Sequence, residues 1–184
     1  MRIIAGDWKR RPLKAPAGEA TRPTADRTRE TLFSMLTSRL GSFDGLSVAD
    51  LFAGSGALGL EALSRGAANC LFVEQDAAAI RALRHNIAAL HAQPRCEVVA
   101  GSVMTLGPAK VPRDLILLDP PYGSGAGAVA LDRLARLGWI GPASWIALEI
   151  GAKEDVAIRA LEVESERRTG PAKLVLLRWP GGAG

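Results

Sequence analysis

The chain has 184 residues, of which 48% are hydrophobic and 23% are charged, which is typical of a single globular domain with a full core. No apolar run approaches the roughly 18 residues of a membrane span, and the short, polar amino terminus argues against a signal peptide, so we expect a cytoplasmic protein with no membrane partner. Cys70 and Cys96 form no CxxC pair and lie in apolar segments, which predicts buried free thiols, no disulfide and no metal site.

The net charge of +4 is concentrated in the first 30 residues, which hold eight Lys or Arg and four Asp or Glu, whereas the rest of the chain holds fifteen of each. A basic segment of this kind indicates a polyanionic partner such as RNA, although a solvated tail would have the same composition. Trp8, beside three cations, could either stack on a base or pin a small hairpin onto the domain. We predict a basic amino-terminal hairpin over residues 1–20. The candidate RNA-binding residues are Arg2, Trp8, Lys9, Arg10, Arg11 and Arg22.

A helix is predicted from about residue 25 to residue 40, where leucines recur every four residues and form one apolar face. Three arginines, Arg22, Arg27 and Arg29, crowd the start of this helix. Cations at the amino-terminal end of a helix oppose its dipole. We therefore expect a bound anion or a nearby carboxylate to compensate them.

Beyond residue 45 the chain alternates between short apolar runs and helical periodicity. The runs that predict strands are residues 47–52, 70–74, 96–100, 115–119 and 145–150. The clearest helical pattern, residues 76–91, places four aliphatic side chains three or four residues apart. Residues 161–168 and 173–179 flank a Gly-Pro turn and predict a terminal antiparallel hairpin. This alternation predicts an α/β fold with a doubly wound, mostly parallel, Rossmann-like sheet.

The turn after the first of these strands carries Gly54, Gly56 and Gly59 in a G-x-G-x-x-G spacing. Glycine lets the backbone approach a ligand closely, and Glu74 ends the next strand, where an acid can bind ribose hydroxyls. The pattern in this strand–loop–helix context predicts a nucleoside-type cofactor. Asp50, four residues before Gly54, would repel a pyrophosphate but attract an ammonium group. We therefore favour S-adenosylmethionine, which carries an ammonium group and no phosphate, over a dinucleotide.

A stiff corner follows the fourth predicted strand, where Asp119, two prolines and Tyr122 succeed four apolar residues. Pro120 and Pro121 fix the backbone and remove two N–H donors, so the corner presents one carboxylate, free carbonyls and one ring. Ligands of open α/β sheets bind outside the carboxyl ends of such strands. The combination suits a planar group that carries N–H donors, although an ordinary proline turn is the simpler alternative. These four residues are the candidate catalytic residues.

Together these motifs resemble the bacterial 16S ribosomal RNA guanine-N2 methyltransferases, a family of class I S-adenosylmethionine-dependent enzymes. The resemblance rests on residues 2–6, residues 22–33, the loop at residues 50–62 and the corner at residues 119–122. It implies a seven-stranded sheet with an antiparallel last strand. It also implies that residues 21–184 form a class I methyltransferase domain.

The resemblance implies a cofactor pocket built from four segments. The loop would hold the amino-acid end, Glu74 the ribose, and residues after the third strand the adenine, with Ser102 where the class usually has Asp or Asn. The segment at residues 22–30 would close over the methionine end. The implied cofactor-binding residues are Thr24, Arg27, Glu30, Asp50, Phe52, Gly54, Ser55, Gly56, Glu74, Gln75, Ser102 and Val103.

The resemblance further implies that Asp119 and the Pro120 carbonyl accept the two N–H hydrogens of a guanine N2 while Tyr122 stacks on the base. The expected substrate is 16S rRNA, free or in an assembling small ribosomal subunit, and we expect a monomer. Two alternatives stay open. One is methylation of an adenine or cytosine amine in RNA or DNA, and the other is a non-catalytic RNA-binding assembly factor that retains the pocket.

Overall fold

The computed structural model describes residues 1–19 and 23–181, with only the backbone of Pro23 and Thr24. In chain order the helices and strands are α1 (Pro23–Leu40), β1 (Ser47–Leu51), α2 (Ala57–Ser64), β2 (Asn69–Glu74), α3 (Ala77–Ala89), β3 (Cys96–Ala100), β4 (Leu115–Leu118), α4 (Ala126–Arg136), β5 (Trp145–Gly151), β6 (Glu162–Thr169) and β7 (Ala172–Arg178). Short 3-10 helices occupy Gln93–Arg95 and Val103–Thr105. None of the described helices is long and apolar enough to cross a membrane.

Within the described residues, seven strands form one sheet in the order β3-β2-β1-β4-β5-β7-β6. β1 to β5 run parallel, and β7 lies antiparallel to both β5 and β6. The predicted doubly wound sheet with a terminal antiparallel hairpin is therefore confirmed. The strand order reverses between β1 and β4, and such a switch point opens a crevice at the carboxyl ends of the strands.

Apolar side chains cover both faces of the sheet, which explains the continuous apolar run of β4. Leu115 and Leu117 pack into one hydrophobic cluster, with residues of α1, α2 and α3, whereas Ile116 and Leu118 pack into a second cluster with residues of α4. All four side chains are fully buried. Burying an aliphatic side chain of this size stabilises a fold by about 1.5–3 kcal/mol. The corner after β4 is therefore held by a rigid, well-packed strand.

Differences from the sequence predictions are local. β1 ends at Leu51, one residue early, because Phe52 has a left-handed backbone with a φ of 58°. β4 also ends one residue early, at Leu118, because the prolines that follow Asp119 cannot continue the strand hydrogen bonding. Cys70 is buried as predicted, but Cys96 is only half-buried because β3 is an edge strand, and both are free thiols.

The helix α1 begins two residues earlier than predicted, with proline in its first turn, where the missing N–H costs no hydrogen bond. Arg29 is buried and lies 3.3 Å from Asp26 and 3.7 Å from Glu61. The expectation that carboxylates compensate the crowded cations is therefore confirmed for Arg29. Arg22 lies outside the described residues.

The basic amino-terminal segment forms the predicted hairpin, in which Arg2 pairs antiparallel with Pro12. The side chains of Ile3 and Leu13 are buried in the hydrophobic core. The carboxylate of Glu61, on α2, accepts the N–H groups of two hairpin residues at 2.8 Å and 3.0 Å. The hairpin is thus docked on the domain by apolar side chains and one buried carboxylate. A domain boundary at residue 20 stays a prediction, since that residue lies outside the described part of the chain.

Candidate active site

The crevice at the switch point is a concave pocket of about 1130 Å³ at the carboxyl ends of β1, β2 and β4. Pockets for a drug-sized ligand usually measure about 300–1,000 Å³, so this one has room for a nucleoside and a second flat group. The predicted residues on its wall are Asp50, Phe52, Gly54, Ser55, Glu74, Gln75, Ser102, Val103, Asp119, Pro120, Pro121 and Tyr122. A smaller cavity of about 570 Å³ lies at the amino ends of β1 to β3 and contains none of the predicted site residues.

The glycine loop turns sharply out of β1, with left-handed backbone at Phe52, Gly54 and Gly56. That conformation costs a non-glycine residue such as Phe52 roughly 1 kcal/mol or more, and strain of this kind concentrates at functional sites. A Cβ on Gly56 would lie 2.4 Å from a leucine of α3, and one on Gly59 would lie 2.5 Å from a phenylalanine of β2. Gly54 has open space beside it. Gly56 and Gly59 therefore allow the loop to pack closely against α3 and β2 on the side away from the pocket. Gly56 is for this reason absent from the pocket wall, whereas Gly54 faces the pocket.

Asp50 is the most deeply buried acid of the pocket, with 1% of its surface exposed. Its Oδ2 accepts the N–H of Gly59 at 2.9 Å, and its Oδ1 has no partner among the described residues. Burial, partly opposed by the Gly59 hydrogen bond and reinforced by the charge of Glu74, raises the pKa of Asp50 to about 8. A buried oxygen without a partner is unfavourable, and an ammonium group would satisfy it. This oxygen fits the amino-acid end of S-adenosylmethionine.

Glu74 ties the glycine loop to the start of α3. Its Oε1 accepts the N–H of Gly54 at 2.8 Å, and its Oε2 accepts the N–H groups of Gln75 and Asp76 at 2.9 Å and 2.8 Å. Oε1 accepts only one of these N–H groups and has a second lone pair, so the side chain can still accept a hydroxyl group from the pocket side. The position predicted for ribose binding is thus also the support that fixes the loop.

The third predicted cofactor segment lies on the pocket wall, just after β3. Ser102 begins the short 3-10 helix there, and its Oγ accepts the N–H of Met104 at 3.1 Å. The Ser102 hydroxyl donates no hydrogen bond to any described residue, so its proton is available to a ring nitrogen. Val103 is buried beside it and offers an apolar surface. The adenine contact of Ser102 stays a prediction.

Two of the predicted cofactor contacts on α1, Arg27 and Glu30, lie outside the pocket wall, and their contact with the cofactor stays a prediction. Residues of α1 on the pocket wall include Thr28 and Arg29, whereas Arg27 and Glu30 are exposed and absent from that wall. Successive residues of a helix are rotated by about 100°, so positions 28 and 29 face the pocket when positions 27 and 30 do not. The structure therefore does not bring Arg27 and Glu30 together with the rest of the site. The side chain of Thr24 lies outside the described part of the chain.

The corner after β4 is rigid and offers an unused acceptor. The N–H of Asp119 donates to the Leu51 carbonyl at 3.4 Å, and the hydroxyl of Ser124 donates to the Pro121 carbonyl at 2.6 Å. The Pro120 carbonyl accepts no hydrogen bond from any described residue. Tyr122 is 48% exposed, so one part of its ring is free to stack. The corner thus presents the carboxylate, carbonyl and ring that its sequence predicted.

The charge of the corner is set by three titratable groups. Asp119 is open to solvent on the pocket side and surrounded by protein elsewhere, and this burial raises its pKa well above the usual range. The carboxylates of Glu149 and Asp50 raise it further. Tyr122 donates its hydroxyl to Oε2 of Glu149 at 2.7 Å, and burial together with this hydrogen bond raises the pKa of Tyr122. The corner therefore retains a proton to higher pH than an isolated aspartate would.

Two polar residues that sequence reasoning missed support the site, and each stands alone within an apolar pattern. Glu149 is the single charged residue of β5, a strand otherwise made of apolar residues. Asn86 lies on the buried face of α3 and is 1% exposed. Its amide nitrogen donates to the carbonyls of Ser55 and Lys14 at 3.0 Å and 2.9 Å, and its oxygen accepts the Lys14 N–H at 2.8 Å. A polar residue in a buried apolar pattern was the available signal for both.

Five of the six predicted RNA-binding residues lie on the hairpin, and the sixth, Arg22, lies outside the described part of the chain. The exposed cations among them are Arg2, Lys9, Arg10 and Arg11. Trp8 is half-buried, and its backbone N–H donates to the Ser64 hydroxyl at 3.0 Å. The Arg95 guanidinium lies 5.4 Å from the centroid of its ring. Of the two interpretations of Trp8, this geometry favours pinning of the hairpin. A contact between Trp8 and RNA stays a prediction.

A family model described as Conserved hypothetical protein 95 matches residues 1–178. The chain is 38% identical over 149 residues to the Ribosomal RNA small subunit methyltransferase D of Escherichia coli, covering 81% of this chain and 74% of that protein. It is 43% identical over 126 residues to the "Putative rRNA methyltransferase YlbH" of Bacillus subtilis, covering 66% and 67%. The solved structure "Putative methyltransferase yhhF from Escherichia coli" is similar with a TM-score of 0.85, at 34% identity and 97% coverage of both chains.

Proposed function

Because the chain belongs to the family described as Conserved hypothetical protein 95, and its relatives are named for ribosomal RNA methylation, we propose that it methylates ribosomal RNA with S-adenosylmethionine. The proposed target atom is the exocyclic N2 of a guanine in 16S rRNA. The observation that carries methyl transfer to an amine is that Asp119 and the free Pro120 carbonyl share one pocket with the glycine loop, and the choice of guanine rests on the family resemblance. The intact acceptor corner argues against a non-catalytic assembly factor.

The residues of the pocket fit the proposed cofactor. The unpaired Oδ1 of Asp50 would accept the ammonium group, Glu74 the ribose hydroxyls, and Ser102 with Val103 would hold the adenine. When bound, this cofactor supplies an electrophilic methyl group and a neutral thioether leaving group. The pocket has the volume for a base beside it, so the chain's own residues need only bind and orient the amine.

The corner accounts for the activation of a weak nucleophile. An exocyclic amine conjugated to its ring has a delocalised lone pair, and Asp119 and the Pro120 carbonyl would accept its two N–H hydrogens. These bonds favour a pyramidal nitrogen and strengthen as positive charge develops on it. The half-exposed Tyr122 ring would hold the base in line, which lowers the entropy lost in reaching the transition state. An adenine or cytosine amine offers the same two hydrogens, so the corner alone selects amines rather than guanine.

The test of this function is the identity of the product. The protein is incubated with radiolabelled cofactor and with either deproteinised 16S rRNA or assembled small subunits, and the nucleosides are then separated by mass spectrometry. We expect N2-methylguanosine from at least one of the two substrates. Methylated adenosine or cytidine would establish the alternative target, and the absence of any transferred label would contradict the proposal. The same assay decides between free RNA and an assembling subunit.

RNA binding is proposed to use the exposed cations of the hairpin, with a monomeric protein acting in the cytoplasm. Replacing Lys9 and Arg10 with glutamine is expected to weaken RNA affinity across sequences. The plot of log affinity against log salt has a negative slope, and each phosphate that the variant no longer neutralises should make that slope shallower by roughly 0.7–0.9. Filter binding from low to moderate salt measures that slope. The matched control is the double replacement of Arg167 and Arg168, which are exposed on the distant strand β6. Equal slopes for both double variants would mean that the cations of the hairpin are solvated and do not contact RNA.

Cofactor affinity is expected to rise with pH up to about 8, because Asp50 must lose its proton to pair with an ammonium group. Binding below that pH should therefore release a proton. Calorimetry at pH 7 in two buffers of different ionisation enthalpy measures this release. Asp50→Asn should abolish the proton release and weaken binding, whereas Asp132→Asn, on the exposed face of α4, should change neither. Proton release that persists in Asp50→Asn would contradict the assignment.

The same group links stability to pH. Its folded pKa of about 8 lies above the ordinary value of 3.8, so the folded protein binds this proton more tightly than the unfolded chain does. The resulting stabilisation is complete below pH 3.8, falls as the pH rises above that value, and is lost by about pH 8. Thermal melts of wild type and Asp50→Asn across this range should therefore converge at low pH and separate at high pH.

A further inference from the structure

Glu149 stands beside the corner, on the strand next to β4. Leu118 and Leu148 are register partners in the parallel pair β4–β5, so the residues that follow them, Asp119 and Glu149, emerge at the same edge of the sheet. Glu149 is half-buried, lies on the pocket wall and is surrounded in sequence by apolar residues. An acid in such a strand is unfavourable unless it has partners.

The partners of Glu149 are both residues of the corner. Its Oε2 accepts the Tyr122 hydroxyl at 2.7 Å, and its carboxyl group interacts with that of Asp119. None of the ion pairs formed by the described residues involves Asp119 or Glu149. Two adjoining carboxyl groups without a cation favour a state in which they share one proton.

We propose that Glu149 is a positioning residue for methyl transfer, which holds the Tyr122 ring by its hydroxyl and shares with Asp119 the proton that Asp119 must lose before it meets the amine as a carboxylate. This inference rests on the proposed function and adds a residue to it. In the transfer the amine lone pair forms the new N–C bond, and the electrons of the broken C–S bond stay on sulfur. The proton released by the amine goes to Asp119, which shares it with Glu149 until it is lost to the solvent in the pocket.

The charged and titratable groups that face this pair come from several elements. Asp50 faces Asp119 from β1, Tyr122 belongs to the corner itself, and Glu154, from the loop after β5, faces Tyr122. The charge of Asp50 raises the pKa of Asp119, whereas the Tyr122 hydroxyl, which donates to Glu149, lowers the pKa of Glu149. Glu149 is the one that contacts both Asp119 and Tyr122, which makes its replacement the most informative.

The first measurement does not depend on activity. The chain contains one tyrosine, so protein labelled with ¹³C at the tyrosine Cζ gives a single resonance, from Tyr122. In wild type this signal should follow the titration of the carboxyl pair, with a midpoint above the normal carboxyl range. Glu149→Gln should shift the resonance and remove that titration, and Asp119→Asn should lower its midpoint. Glu166→Gln, which removes an exposed acid of β6, should leave the spectrum unchanged.

The second measurement is the pH profile of single-turnover methyl transfer. Because the charge of Glu149 raises the pKa of Asp119, Glu149→Gln should move the acidic limb of the profile to lower pH by about one unit. It should also lower the plateau rate about 100-fold, the lower end of the range for a missing proton-transfer partner. Tyr122→Phe, which keeps the ring but not the hydroxyl, should leave the limb in place. Cofactor affinity should stay at the wild-type value in both variants.

The outcomes separate this inference from the function beneath it. A Glu149→Gln protein with the wild-type limb and plateau would overturn the inference and leave the methyltransferase proposal intact, since the glutamate would then serve only to anchor the tyrosine. A Tyr122 resonance that ignores the Glu149→Gln replacement would overturn the inference as well. If wild type transfers no methyl group to any RNA, the proposed function fails. The tyrosine titration still tests the coupling of the carboxyl pair in that case, and a midpoint unchanged by Asp119→Asn would reject it.

Discussion

Asp119→Asn is expected to lower the rate of methyl transfer about 100- to 1000-fold, the range found when one preorganised hydrogen-bonding group is removed from an active site. Asparagine keeps the shape of the side chain but replaces one acceptor oxygen with an NH₂ donor, which would face the N–H groups of the substrate amine. Single-turnover transfer of a radiolabelled methyl group to RNA measures the effect. Cofactor affinity, measured by calorimetry, should stay at the wild-type value, because the proposed cofactor contacts lie elsewhere on the pocket wall.

The control for this variant is Asp132→Asn on α4. Asp132 is exposed and pairs only with Arg136, at 3.7 Å, so its replacement removes the same charge without touching the pocket. It should transfer methyl groups at the wild-type rate. A rate for Asp119→Asn that equals the rate of this control would refute the proposed role of the corner, whatever base is modified.

Glu61→Gln is expected to destabilise the fold by about 3–5 kcal/mol, the usual consequence of removing one member of a buried ion pair. Glu61 is fully buried on α2, where Arg65 lies 3.0 Å and Arg29 lies 3.7 Å from its carboxylate. The same carboxylate accepts the backbone N–H groups of Ile4 and Ala5. Glutamine removes the carboxylate that pairs with Arg65, leaves Arg29 with Asp26 alone, and turns one acceptor into a donor that faces other donors. Urea unfolding followed by circular dichroism measures the loss of stability.

The matched comparison for Glu61 is Glu164→Gln. Glu164 forms an ion pair with Arg39 at 3.9 Å, but both side chains are more than a third exposed. Surface pairs of this kind contribute about 0–1 kcal/mol. Equal midpoints for the two variants at equal denaturant slopes would mean that the buried cluster on α2 does not hold the hairpin to the domain.

The fold was predictable because its signals are local and repeat along the chain. The apolar run of β4 and the glycine spacing after β1 each determine a strand or loop without knowledge of distant residues. Boundaries shifted where backbone geometry departs from pattern, as at Phe52, whose left-handed conformation ends β1 although its side chain is typical of a strand. Nothing in the composition of residues 47–52 signals that conformation.

The site was less predictable where a role depends on tertiary contact. The resemblance placed cofactor contacts on Arg27 and Glu30, but the pocket is faced by their helix neighbours Thr28 and Arg29. A shift of one position rotates a side chain by about 100°, and sequence pattern does not fix that rotation relative to a neighbouring sheet. Glu149 escaped notice for a related reason, since its partner Tyr122 lies 27 residues away along the chain.

The amide of Asn86 has a practical consequence for engineering this protein. Two of its three hydrogen bonds go to the backbone of Lys14 and the third goes to Ser55 in the glycine loop. A truncation that removes Lys14, or a bulky amino-terminal tag that lifts the hairpin, would leave this buried amide without those partners, at a cost of about 1–3 kcal/mol for each group left unsatisfied. The hydrogen bond from Asn86 to Ser55, which supports the glycine loop, would be weakened at the same time. Affinity tags for assays of this enzyme family therefore belong at the carboxyl terminus.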